Sequence, residues 1–182
     1  KKIRKEDWQD YSKNPKELLL EIEKEAIELT YYDEFPLGLF RNKIRHYDAR
    51  LIRELLINAI AHKSYTISGD IFIKVYQDRL EITNPGGLPL GITKDNILHT
   101  TYRRNPHLIR ILHDLKLMEG EGTGYNLIYE ITSRDAKAFP IPISDYNATS
   151  ITQYSKILDE EAVLLLDFIA KNYQHSQKEF IA

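Results

Sequence analysis

Leu51-Ile52-Arg53-Glu54-Leu55-Leu56-Ile57-Asn58-Ala59-Ile60-Ala61-His62-Lys63-Ser64-Tyr65 decides how this chain is read. Ile52, Leu55, Leu56, Ala59 and Ile60 recur at three- and four-residue steps and give one apolar stripe, the pattern of an amphipathic helix. Asp48 just upstream suits an N-cap, and no Gly or Pro interrupts the run. Glu54, Asn58 and His62 stand four residues apart, so they line one face away from the stripe. A carboxylate and a carboxamide stacked on a half-buried helix have the chemistry of a general base and a metal ligand.

Around this stretch the 182-residue chain has room for one domain with appendages, and 42% hydrophobic residues suffice for a real core. A net charge of −2 makes no broad electrostatic case for nucleic-acid binding. The absence of cysteine excludes a disulfide frame and a thiolate zinc site. No apolar run approaches membrane-spanning length and no signal peptide is visible, so the expectation is a cytoplasmic protein with no membrane partner. The chain opens Lys-Lys without Met and reads as a piece of a longer one.

Outward from the central helix, residues 1–13 are charged and aperiodic. Asn14-Pro15 reads as an N-cap with Pro at the first helical position, opening a helix with Leu18, Leu19, Ile22, Ala26 and Leu29 inward. Tyr31–Lys43, with its aromatics, Pro36 and Gly38, reads as an irregular connection. Downstream, Ile71–Tyr76 and Leu80–Thr83 alternate as an antiparallel hairpin turning at Gln77-Asp78-Arg79. Thr93 is placed to cap a short turn through Leu98, and Asn105-Pro106 repeats the cap-plus-Pro signal before Leu108, Ile109, Ile111, Leu112 and Leu115. A helix is expected over Tyr125–Ser133, strands over Phe139–Ile143 and Ser150–Tyr154, and a last helix after Asp159.

Two glycine clusters frame the chemistry. Asn84-Pro85-Gly86-Gly87 ends the second strand, either as a plain turn or as a place where another group approaches the backbone. Gly120, Gly122 and Gly124 precede a helix N-terminus, where unpaired N–H groups and the helix dipole favour phosphate; the alternative is a flexible turn needing small residues. Neither cluster is a dinucleotide fingerprint, and no Gly-Lys-Ser/Thr of a P-loop occurs, which disfavours a helicase motor. Taken alone, Glu54 reads first as a solvated charge, His62 as a packed or capping histidine, and Arg103-Arg104 as a solvated pair, with a phosphate contact as the alternative for the arginines. His107 and His113 lack metal-ligand spacing with any carboxylate.

In this order the parts resemble the GHKL ATPase superfamily with its Bergerat fold. More narrowly, Arg53–Tyr65, Glu81–Pro89, Arg104-Asn105-Pro106 and Glu121-Gly122-Thr123-Gly124 resemble a bacterial family labelled as a RecG-related ATP-dependent DNA helicase C-terminal domain, many of whose members are described as transcriptional regulators. The resemblance covers about residues 47–157. It implies an α/β two-layer sandwich, with a mixed, mainly antiparallel sheet and helices on one face. Residues 1–46 would be a helical lead-in packing on the core, and 158–182 the helical start of a truncated winged-helix-like region.

The same resemblance implies ATP and Mg²⁺ as cofactors. Glu54 would be the general base and Asn58 the Mg²⁺ ligand. His62, Asn84, Gly86, Gly87, Arg104, Gly122, Thr123 and Gly124 would join Asn58 around the nucleotide, with the two adjacent glycines at the base and Gly122 to Gly124 at the phosphates. Leu88–Glu119 would be the lid. Asn84 departs from the superfamily's Asp; its amide could meet adenine or guanine. The implied function is a Mg-ATP-binding regulatory module with slow hydrolysis as a further expectation, DNA being contacted by regions outside the segment and homodimerisation left open. The alternative is a catalytically inactive Bergerat-like fold serving as an interaction or dimerisation module.

Overall fold

The structure, a computed structural model, describes residues 13–37, 39–93, 96, 100, 102–118, 123–140 and 142–157. The expected C-terminal helical region, 158–182, and Gly122 of the second glycine cluster lie outside them, as does most of the expected turn after Thr93.

Helix α1, Pro15–Glu25, starts where the sequence places it. Asn14 Oδ1 accepts from the Lys16 and Glu17 N–H groups at 3.0 and 3.1 Å, and Glu17 takes the Asn14 N–H in return at 3.0 Å. This reciprocal box satisfies donors that a helix start otherwise leaves bare. Ile22 of α1 is buried, together with Ala26 and with Leu29 of the following 3-10 turn, in the main core.

Tyr31–Lys43 departs from its reading as an irregular connection. Strands β1, Tyr32–Leu37, and β2, Phe40–Arg45, form an antiparallel ribbon in which Glu34 faces Lys43 and Pro36 faces Arg41. Glu34 also pairs with Arg41 at 3.1 Å and Lys43 at 3.3 Å. A ribbon of two strands is all edge, which is where proline's missing donor is tolerated.

Helix α2, Ala49–His62, is capped by Asp48, whose Oδ1 accepts the Arg50 N–H at 2.8 Å. One side of α2 packs Leu51, Leu55, Leu56 and Ala59 into the core with Leu80 and Ile82 of the sheet and Ile128 and Ile131 of α4 (Thr123–Arg134). Its other side buries Ile57 and Ala61 against Leu112 of α3 (Pro106–Asp114) and Leu117 just after it. The single stripe read from the sequence is therefore two adjoining faces, and Ile52 and Ile60 sit at the margins, only partly buried.

The sheet runs β3-β4-β6-β5, with β3 Phe72–Val75, β4 Arg79–Pro85, β5 Pro142–Ser144 and β6 Ala148–Tyr154. Every pairing among the described residues is antiparallel. Leu80, Ile82 and Asn84 alternate inward along β4, as the two-residue period of a half-covered sheet requires. The result is an α/β sandwich with α2 and α4 sharing the core beside the sheet.

The start of α2 is fixed to the end of α4. Arg134 donates to Asp48 at 2.9 Å and to Asp135 at 2.7 Å, while the buried Lys137 ammonium donates to the Arg45 and His46 carbonyls. Burial opposes the Asp48 charge, but the hydrogen bonds from Arg134 and Arg50 outweigh it and hold the carboxyl down to about 2. Anchoring this end sets the pitch at which α2 presents its remaining face.

Candidate functional site

That face carries Glu54, Asn58 and His62 in one line. Glu54 is only 8% exposed, and the Asn58 amide donates to its Oε1 at 3.0 Å. This bond fixes the amide's orientation and turns the Asn58 Oδ1 away from the carboxylate. A buried carboxylate with a neighbouring amide oxygen is a donor set for a hard divalent cation or for proton transfer.

Above these two residues lies the first turn of α4. Gly124 approaches so closely that a Cβ there would overlap Glu54 Oε1, and it would come within 3.6 Å of Asn58 Nδ2. The helix start, with the positive end of its dipole, is thus set against the carboxylate and amide of α2. Thr123 is the first residue of this helix.

His62 occupies the far end of the line. Burial lowers its pKa, and the nearby Arg104 charge lowers it further, so the imidazole is kept neutral. Arg104 donates from Nη1 to the His62 carbonyl at 3.0 Å and from Nη2 to the Gly87 carbonyl. Asn105 was expected to cap α3, and its side chain makes no such bond. Its amide caps the other helix instead, donating to the Ala61 and Lys63 carbonyls at 2.9 and 2.8 Å where α2 leaves them without partners. Sequence reasoning missed this role for Asn105 because its acceptors lie more than forty positions upstream.

The double glycine has neighbours within the chain. Gly86 takes a φ of +93°, and a Cβ on it would meet Ser64 Cβ at 2.5 Å and Arg104 Nη1 at 2.8 Å. A Cβ on Gly87 would overlap the Asp145 carbonyl. Both N–H groups donate into the β5–β6 turn, Gly86 to Asn147 at 2.7 Å and Gly87 to Tyr146 at 3.3 Å. Thr149 closes the arrangement by donating to the Gly86 carbonyl at 2.9 Å. Just before them, Asn84 is 8% exposed and its Oδ1 is buried without a hydrogen-bond partner. A buried acceptor left bare is costly, and it marks a place where a donor is missing.

The structure therefore brings Glu54, Asn58 and Gly124 into one group, and His62, Arg104, Gly86 and Gly87 into another, on the same side of α2. Among the described residues no cluster of three or more His, Cys, Asp or Glu forms a preassembled metal cage. Among them, too, no helix is long and apolar enough to cross a membrane.

Residues 69–152 match the model of the family described as "Putative ATP-dependent DNA helicase recG C-terminal". This ATPase-like, RecG-related family is the one the four motifs resemble, and the match names no wider superfamily. The matched segment holds Asn84, the double glycine, Arg104 and Gly124, and starts after α2. No curated protein matches the chain. Among solved structures, the crystal structure of the DIP2311 protein from Corynebacterium diphtheriae is similar with a TM-score of 0.73 at 21% identity. The likeness covers 82% of this chain and 31% of that one, so the present chain corresponds to about a third of the other's length, and what is shared is the α/β fold.

Proposed function

We propose that this RecG-related segment is a Mg-ATP-binding regulatory module, with the nucleotide lying along the Glu54–Asn58–His62 face of α2. The observation that carries this reading is the packing of Gly124, at the start of α4, onto the Glu54–Asn58 pair. It sets a helix N-terminus suited to phosphate beside the groups suited to a cation and to water. The match of residues 69–152 to an ATPase-like family, which takes in the double glycine and Gly124 but not α2, supports nucleotide binding at that coarser level.

The residues present fit the implied groups. Asn58 Oδ1, turned outward by the bond to Glu54, would hold Mg²⁺, and a bound Mg²⁺ would supply neutralisation of phosphate charge. The Glu54 carboxylate, oriented by Asn58, would accept the proton of an attacking water. Asn84 Oδ1 would accept from the amino group of the base, which favours adenine over a base presenting a carbonyl there. His62, Gly86 and Gly87 would surround the base end, Gly122, Thr123 and Gly124 the phosphates, and Arg104 would turn from the first toward the second. In this reading residues 47–157 form the nucleotide-binding domain of a DNA-associated regulator, residues 1–46 support it, and DNA is contacted by other regions.

One observation favours the alternative of an inactive interaction or dimerisation module: Arg104 and the β5–β6 turn already fill the space beside Gly86 and Gly87. Thermal melting with ATP, ADP and GTP in Mg²⁺ separates the two. A ligand at a hundred times its Kd should stabilise the fold by about 2.7 kcal/mol. Glu54→Gln should keep that shift while phosphate release falls by about 10²–10⁴-fold. No shift with any of the three nucleotides would leave the interaction module standing.

A further inference from the structure

We propose that Arg104 and Asn105 are a clasp that shuts the base end of the cleft in the nucleotide-free chain and that an arriving polyanion releases. The inference rests on the nucleotide reading above and adds a regulated entrance to it. Four donor–acceptor contacts define the clasp. The Arg104 guanidinium spans from the His62 carbonyl, at the end of α2, to the Gly87 carbonyl, beyond the end of β4. The Asn105 amide holds Ala61 and Lys63 on the same last turn of α2. One planar fork thus ties two elements that otherwise meet here through the Ser64 N–H donating to the Pro85 carbonyl at 3.0 Å.

The position of the guanidinium gives the clasp its consequence. Arg104 lies flush on the Gly86 backbone, two residues past Asn84 and its unpartnered buried oxygen, and beside the neutral His62 ring. A base approaching the Gly86 backbone has to displace it. The two acceptors on Arg104 are neutral main-chain carbonyls, and charged phosphate oxygens are the stronger partners for a guanidinium. Phosphate arrival and opening of the base end are then coupled: a triphosphate draws Arg104 away, and a nucleoside without phosphate cannot.

Two measurements on the full 182-residue chain test this. The first is hydrogen exchange of the nucleotide-free protein. Arg104→Ala should speed exchange of the Ser64, Gly86 and Gly87 amides by about tenfold, with α1 and β3 unchanged. Arg104→Lys, which keeps the charge but cannot bridge both carbonyls, should fall between, and it serves if the alanine variant fails to fold. Unchanged exchange in both variants overturns the clasp. The second is calorimetry with adenosine and with ATP. Arg104→Ala should bind adenosine about tenfold more tightly than the parent while its gain for ATP is smaller. Adenosine affinity equal to or below the parent's overturns the gating role. Faster exchange with no binding of either ligand to any form keeps the contact, removes the nucleotide reading, and with it overturns the gate.

Discussion

Gly124 is pressed onto the Glu54 carboxylate so closely that no side chain could be accommodated between them without movement. Glu54 is buried and tied to Asn58, so the glycine reads as part of the site's geometry, beyond any loop flexibility it gives. Gly124→Ala therefore makes a mixed outcome the expected one. Alanine is the better helix former by about 1 kcal/mol, and the carboxylate must swing away to make room. Melting temperature should change little, while nucleotide affinity drops at least about tenfold. A variant that binds nucleotide like the parent would show that the contact has no bearing on the site.

Asn84 should separate stability from binding in the opposite sense. Its Oδ1 is a buried acceptor with no partner, a destabilising feature in the free chain. Asn84→Leu should raise stability in urea by about 1 kcal/mol and weaken adenine-nucleotide binding. Loss of stability, or retention of full affinity, would mean that Asn84 is a packing residue.

Stability should decline with acid in two pH windows. His62 has a lowered folded pKa, through burial and then Arg104, so the unfolded chain takes up its proton first as pH falls. Its contribution to stability is complete above the ordinary imidazole value of about 6.5 and is lost below it, toward the folded value. Asp48 sits at about 2 in the fold, against about 3.9 unfolded, so its contribution is complete above the higher value and lost by the lower. Urea midpoints followed against pH should show both declines. His62→Gln should remove the first and leave the second.

Asp48 also joins α2 to α4, because it caps the one and accepts Arg134 of the other. Asp48→Ala should cost about 1–2 kcal/mol as a lost cap. Arg134→Ala should cost less than Asp48→Ala, since Arg134 is half exposed and the cap survives its removal. Urea denaturation of the two variants decides the order.

Much of this was legible because it is local. The Glu54–Asn58–His62 line follows from a helical period, and the Asn14 cap from the Asn14-Pro15 pair at its own helix start. What was not legible depends on partners far along the chain. Asn105 looked like a cap for the helix after it and instead caps α2. Gly86 and Gly87 read as a plain strand-ending turn or as a place where another group approaches, and the groups lying against them here are Ser64, Arg104 and the Asp145 carbonyl. The β1–β2 ribbon was hidden by Pro36 and the aromatics; its register shows in the Glu34 pairs with Arg41 and Lys43, which local period does not reveal. The strand expected over Phe139–Ile143 begins only at Pro142, with Phe139 tilted against Tyr129 at 6.0 Å instead of entering the sheet.

The central claim is that α2 presents a cation-and-phosphate site through Asn58 beside Glu54. Calorimetry of ATP with and without Mg²⁺, on the parent chain and on Asn58→Ala, tests it most directly. The account predicts Mg-dependent binding heat in the parent, weakened at least about tenfold in Asn58→Ala. No heat in the parent, or the same Mg-dependent heat in both, would contradict it.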